Sequence, residues 1–147
     1  MRTCTEAASA RVGACCPERM DATPEPGVVT LLIVEETAAM CRLIRALIDG
    51  LPVSVTECRD GRDTMALCRA LQPDWVLLDL DLAGTDALAT AREIRLAHPG
   101  IRIVALGEDS PRLQEASRRA GAQAYLAKEQ LVSLPDLLRG DPGVTAT

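Results

Sequence analysis

The sequence predicts an α/β fold built on a doubly wound, five-stranded parallel sheet. Three observations predict it. From Val29 to Gly140, short apolar runs alternate five times with amphipathic stretches, the pattern of strand-helix units joined by right-handed crossovers. The runs VTLLIV at 29–34 and WVLLDL at 75–80 are apolar without a break in alternation, as strands covered by helices on both faces must be. At 147 residues, 48% of them apolar and 25% charged, the chain suits one ordinary core.

Each element follows in order. VTLLIV is the first strand. Met40, Leu43, Ile44, Leu47 and Ile48 recur at helical spacing behind it, and Gly50 with Pro52 stops that helix. VSVTE is a second, short strand, and the turn RDGR leads from it to a helix with Leu67, Ala70 and Leu71 on one face, ended by Pro73. WVLLDL is the most apolar run and the expected central strand, and the loop after it contains Gly84. Thr85 or Asp86 caps the next helix, which buries Leu88, Ala91 and Ile94 before the stop HPG at 98–100. IRIVAL is the fourth strand, followed by a helix carrying Leu113, Ala116 and Ala120, then Gly121 and a fifth strand, AYLA. Ser133 and Asp136 have the spacing of a capping box, Pro135 fits a first helical turn, and Gly140 closes a helix of about two turns.

Composition excludes several functions. Residues 1–28 are rich in Ala, Thr, Glu and Pro and end in ATPEPG, which reads as a flexible extension. The formal charge is −5, Phe is absent and aromatics make up 1% of residues, so neither a phosphate-tracking basic surface nor base-stacking platforms are present. No direct nucleic-acid binding is expected. No apolar run nears the roughly 20 residues of a membrane span. MRTCTEAASARVGACCPERM lacks the apolar stretch of a secretory signal, which places the chain in the cytoplasm. Six cysteines form no C-x-x-C pair and the single histidine, His98, is distant from them, so no zinc site is expected. Cys41, Cys58 and Cys68 read as small buried apolar side chains. Trp75 reads as packing, His98 as a helix-end residue and Arg118 with Arg119 as a solvated helix face.

Doubly wound sheets place their sites outside the carboxyl ends of the strands. Glu35 and Glu36 follow the first strand, Asp79 and Asp81 stand at the end of the third, Gly107, Glu108 and Asp109 end the fourth, and Lys128 follows the fifth. Glu35, Glu36 and Asp79 converge if their strands are neighbours, and carboxylates so placed need a cation. An all-oxygen set suits Mg2+, which accepts one or two carboxylates and keeps waters and phosphate oxygens for the rest. Lys128 is the only lysine among 16 basic residues, a compact point charge suited to a phosphoryl oxygen.

LLIVEET, ECRDG, DWVLLDLDLAGTDAL, REIRLAHPGIRIVALG and AGAQAYLAKE, in this order and spacing, resemble the receiver domain of bacterial response regulators. The resemblance covers about residues 29–140, leaving 1–28 as an N-terminal extension and 141–147 as a flexible C-terminal tail. It implies a flavodoxin-like (βα)5 receiver fold. It further implies that Asp79 is the phosphoacceptor and that Lys128 binds the phosphoryl group. Glu36 is then the direct magnesium ligand, Glu35 a second acid acting partly through water, and the backbone carbonyl of Asp81 a further ligand. Tyr125 is the aromatic that reports the switch. The implied partners are a histidine kinase or phosphotransfer protein and a downstream protein target reached in trans. The only chemistry implied is magnesium-dependent phosphorylation and dephosphorylation of the protein's own Asp.

The chain departs from the family pattern at several positions. The acid pair is Glu-Glu, each side chain longer than Asp by about 1.5 Å, which loosens the fit to magnesium. Gly107 stands where the family has Thr or Ser, so no hydroxyl is available there, and Glu108 follows it in place of a small residue. Glu129 and Ala83 replace prolines. Gly107 and Glu108 favour an alternative, a degenerate pseudo-receiver that works as a phosphorylation-independent interaction module, while the retained Asp79 and Lys128 favour the phosphorylated receiver. DLDLAGT also resembles the D-x-D-x-T/V motif of haloacid-dehalogenase-type phosphatases, with Asp81 as general acid, but no second acid pair lies beyond the lysine. Nucleotide binding through G-x-G-x-x-G is excluded, since no such motif follows the first strand.

Overall fold

A computed structural model describes residues 27–139. The predicted flexible segments, 1–28 and 141–147, lie outside the described residues except for positions 27 and 28, as do Gly140 and the three cysteines before it in the extension, Cys4, Cys15 and Cys16. The element order is β1 (Val29–Val34), α1 (Ala38–Leu47), β2 (Val53–Cys58), a 3-10 turn (Gly61–Asp63), α2 (Thr64–Leu71) and β3 (Trp75–Asp79). Then come α3 (Ala87–Ala97), β4 (Arg102–Gly107), α4 (Pro111–Arg119), β5 (Ala124–Ala127), a second 3-10 segment (Lys128–Ser133) and α5 (Leu134–Arg139).

The five strands form one sheet in the order β2-β1-β3-β4-β5, with every pairing parallel. As the sequence predicts, the sheet is doubly wound and β3 is its central strand. Alternation along the strands divides the interior in two. Leu31, Ile33 and Leu77 face α1 and α5 with Cys41, Ile44, Leu134 and Leu138. Leu32, Val34, Val76 and Leu78 face the other side with Cys68 from α2 and Ala87, Ala91 and Ile94 from α3. Val34 is followed by β2 on one edge and the chain later crosses to β3 on the other, so the winding reverses between β1 and β3. That switch point is where such sheets open a crevice.

Several local expectations shift. Leu43 of α1 is 47% exposed, and the buried face runs instead through Cys41 and Ile44 to Ile48. Ala70 is exposed, and α2 buries Thr64 and Cys68 in its place. The physical reason is the same in both helices: an apolar arc wider than the contact with the sheet leaves its outer edge in water. Asp86, not Thr85, caps α3, accepting from the Ala89 amide at 3.1 Å. Asp136 accepts from Arg139 at 3.1 Å, so its carboxylate is spent on the last turn of α5 rather than reaching back to the start of the helix. Trp75 is buried with the Arg102 guanidinium over its ring at 4.7 Å. Among the described residues no helix is long and apolar enough to cross a membrane.

Candidate functional site

Asp79 ends β3 between two flanking strands. Its residue pairs with Leu106 of β4, and Leu80 continues the ladder by donating to the Leu106 carbonyl at 2.8 Å. The rim therefore holds Asp79 in the interior, 3% exposed. The chain then turns, and the Asp81 amide donates to Asp79 Oδ1 at 3.0 Å, an Asx-type bond that fixes the carboxyl rotamer. Lys128, the first residue beyond β5, brings its ammonium to 3.5 Å from Asp79 Oδ1 and 3.0 Å from Asp81 Oδ2. Partial burial pulls the Lys128 pKa down, but the Asp81 and Asp79 carboxylates outweigh it and hold the ammonium above its ordinary range.

Glu35 lies beside Asp79. Its amide still donates into the ladder, to the Cys58 carbonyl at 3.0 Å, so the side chain is carried inward and only 3% of the residue is exposed. Thr37 donates to Glu35 Oε2 twice, from its amide at 3.1 Å and its hydroxyl at 3.0 Å. The same hydroxyl caps α1 by accepting from the Met40 amide at 3.4 Å. Glu35 Oε1 is buried and has no hydrogen-bond partner. Burial, then the adjacent Asp79 carboxyl, push the Glu35 pKa up, and Thr37 only partly offsets them.

Glu36 lies on the same rim but does not join the two buried acids. It is exposed, its Oε1 accepts from the Ala83 amide at 3.2 Å and its carbonyl accepts from Arg59 Nε at 3.2 Å. The extra methylene carries its carboxylate across to the β3–α3 loop. Three of the four expected side chains, Glu35, Asp79 and Lys128, are thus gathered at one point, while Glu36 braces the loop beside it. Among the described residues no cluster of three or more His, Cys, Asp or Glu side chains is arranged to ligate a metal. The pair Glu35 and Asp79 still suits magnesium. A buried carboxylate oxygen without a donor stands beside a second carboxyl, all donors are hard oxygens, and this ion requires only one or two carboxylates.

Gly107 and Tyr125 meet at the β5 side of the rim. The Tyr125 hydroxyl donates to the Glu108 carbonyl, and its ring packs on the α2–α3 side of the core. Burial and the carboxylates of Glu108, Asp81 and Asp109 raise the Tyr125 pKa. Glu108 itself is exposed. Reading the sequence alone missed two participants. Thr37 was legible as the cap before AAMCRLIRAL, in a position favoured for Thr, yet its second duty toward Glu35 depends on how β1 ends. The Asp81 carboxylate bonds Lys128 across 47 residues of sequence, for which no local signal exists.

A family model described as response regulator receiver domain matches residues 31–138. Among known proteins, the chain is 32% identical over 111 residues to the transcriptional regulatory protein ResD of Bacillus subtilis, covering 74% of this chain and 44% of that protein. It is 31% identical over 103 residues to the transcriptional regulatory protein ZraR of Salmonella typhimurium, covering 69% of this chain and 23% of that protein. The chain thus matches less than half the length of these relatives. Among solved structures, a putative response regulator from Chloroflexus aurantiacus superposes with a TM-score of 0.71 at 21% identity, over 78% of this chain and 96% of that one. The RcsB response regulator of Salmonella typhimurium gives 0.75 at 19% identity, over 82% and 63%. At these identities the structures speak for the fold.

Proposed function

Since the chain belongs to the response regulator receiver domain family, we propose that Asp79 accepts a phosphoryl group from a histidine kinase or phosphotransfer protein in the cytoplasm and that the change is passed to a downstream protein target. The observation that carries this reading is the buried Asp79 carboxyl, with one oxygen held by the Asp81 amide at 3.0 Å and by Lys128 at 3.5 Å. Both donors hold Oδ1, which leaves Oδ2 as the attacking atom. In-line attack by that oxygen forms an acyl phosphate and releases the donor as leaving group, so the protein's part is positioning and electrostatics. Lys128 stabilises the equatorial oxygens of the transferring group, which requires it to loosen its 3.0 Å bond to the exposed Asp81 carboxylate. Magnesium, when bound, neutralises charge on the phosphoryl group. Glu35 and Asp79 would hold it, with the Asp81 carbonyl as a further oxygen and Glu36 reaching it only by leaving the Ala83 amide.

A second reading, a pseudo-receiver that binds partners without phosphorylation, is favoured by Gly107 and by the Glu36 carboxylate resting on Ala83 rather than beside Asp79. The haloacid-dehalogenase reading is weaker, because the Asp81 carboxylate it needs as a general acid is committed to Lys128. Incubation with magnesium and a small acyl-phosphate donor separates the first two by intact mass. Gain of one phosphoryl group by wild type and none by Asp79→Asn supports acceptance; no gain by wild type, with a kinase-linked partner still bound, supports the pseudo-receiver.

A further inference from the structure

Gly107 pairs with Ala127, and two residues back Ala105 pairs with Tyr125. Alternation places the side chains of 105 and 107 on one face, so the Tyr125 ring, a diagonal neighbour, reaches the space over residue 107. That space is filled. A β-carbon at 107 would stand 2.7 Å from the Tyr125 hydroxyl oxygen, 3.5 Å from its Cζ and 3.5 Å from Leu80 Cδ1. The hydroxyl and a β-carbon therefore exclude each other. Gly107 is not among the residues with positive φ, so the backbone here accepts any residue, and what glycine supplies is room. From this seat the Tyr125 hydroxyl holds the carbonyl of Glu108, the first residue beyond β4. Two residues further, Ser110 caps α4 by accepting from the Leu113 amide at 3.2 Å. One hydrogen bond thus ties β5 to the segment that starts α4.

We propose that Gly107 is a positioning residue: the missing β-carbon locks Tyr125 inward, so the surface formed by the 107–110 segment and β5 keeps one conformation whatever Asp79 carries. The second half of this statement rests on the acceptor role of Asp79; the first does not. A phosphoryl group on Asp79 finds no side chain at 107 to draw toward it. The neighbouring Glu108 carbonyl is already bonded, and the cation beside Asp79, Lys128, pairs with Asp79 and Asp81 and not with this segment, so charge gained at Asp79 has no lever on Tyr125. A partner that docks on this surface meets the same shape in both states, so the change proposed for Asp79 reaches its target by another face.

The chain contains a single tyrosine, so an NMR spectrum of ring-labelled tyrosine reads Tyr125 alone. In Gly107→Ala the clash falls on the far end of one side chain, and the ring signals are expected to move to solvent-exposed positions while circular dichroism stays that of wild type. In wild type, saturation with magnesium and beryllium fluoride, a phosphoryl mimic, is expected to leave the ring signals unmoved. Movement of the wild-type signals with the mimic bound overturns the lock, as does a Gly107→Ala spectrum identical to wild type. Fluorine NMR reports whether the mimic binds. If it does not, acceptance at Asp79 fails as a reading, and the Gly107→Ala shift decides the lock by itself; if Gly107→Ala does not fold, the wild-type response to the mimic decides it.

Discussion

Glu35→Gln tests whether the site is built at the expense of stability. Glu35 is 3% exposed, one carboxylate oxygen has no donor, and its neighbour is the equally buried Asp79. Leaving a buried acceptor unsatisfied costs about 1–3 kcal/mol. Glutamine keeps the shape, leaves an oxygen for the two Thr37 donors and turns an amide toward Asp79, replacing repulsion with a hydrogen bond. The metal-free variant should therefore be more stable than wild type at neutral pH by about 1–3 kcal/mol, a rise in Tm of roughly 4–15 °C for a domain of this size.

The pH dependence has a definite sign. Burial and Asp79 raise the Glu35 pKa above 4.5 in the folded protein, so the native state holds this proton more tightly than the unfolded chain. The contribution of Glu35 to stability is fully present below the unfolded value and is lost as pH rises through the folded one. The variant lacks that titration. Thermal unfolding followed by circular dichroism without metal, from about pH 5 to about pH 8, should show the gap between variant and wild type widening as pH rises. Magnesium should then narrow it by stabilising wild type more than the variant. A variant that melts at or below the wild-type temperature at the alkaline end, or a gap constant across the range, refutes the reasoning.

Three further outcomes follow from the same geometry. Lys128→Met removes the ammonium from a position one third exposed and should slow phosphoryl acceptance from an acyl phosphate by about 10²-fold, with the unfolding transition nearly unchanged; rates of mass gain measure it. Leu78→Ala empties a fully buried position of β3 and should destabilise by about 2–5 kcal/mol with the denaturant slope unchanged, measured by urea unfolding. Burial pushes the Cys41 and Cys68 thiols up to about 11 and raises that of Cys58. Iodoacetamide near neutral pH should therefore spare all three in the folded protein and alkylate them in denaturant, as read by peptide mass.

The strands were legible because a parallel sheet imposes a coarse rule: VTLLIV and WVLLD are apolar on both faces because helices cover both. The rim positions followed from the strands. Glu35, Asp79 and Lys128 each stand at or one step beyond a strand end, and the parallel register carries all of them to the same side. What periodicity leaves out is the direction in which a side chain leaves the rim. Glu36 and Glu35 are adjacent in sequence, yet one is buried against Asp79 and the other lies in solvent on Ala83. Leu43 has the right spacing for a core position but stands at the margin of the α1 contact. Tyr125 and Gly107 touch because Ala105 pairs with Tyr125, a register that neither segment encodes locally.

Charge at the rim explains why these parts belong together. Asp79, Glu35 and Asp81 are three acids around the one ammonium of Lys128, so full ionisation leaves two negative charges uncompensated. Burial, and after it the adjacent Asp79 carboxyl, raises the pKa of Glu35 and so favours its proton over a further charge. A divalent cation replaces that proton and neutralises the remainder, whereas a monovalent one does half the work. The phosphoryl group proposed for Asp79 would add negative charge to the same place, where a cation offsets it. On the proposed reading, the buried acid pair makes acceptance at Asp79 conditional on metal, and a metal held by Glu35 competes with the proton that burial favours there.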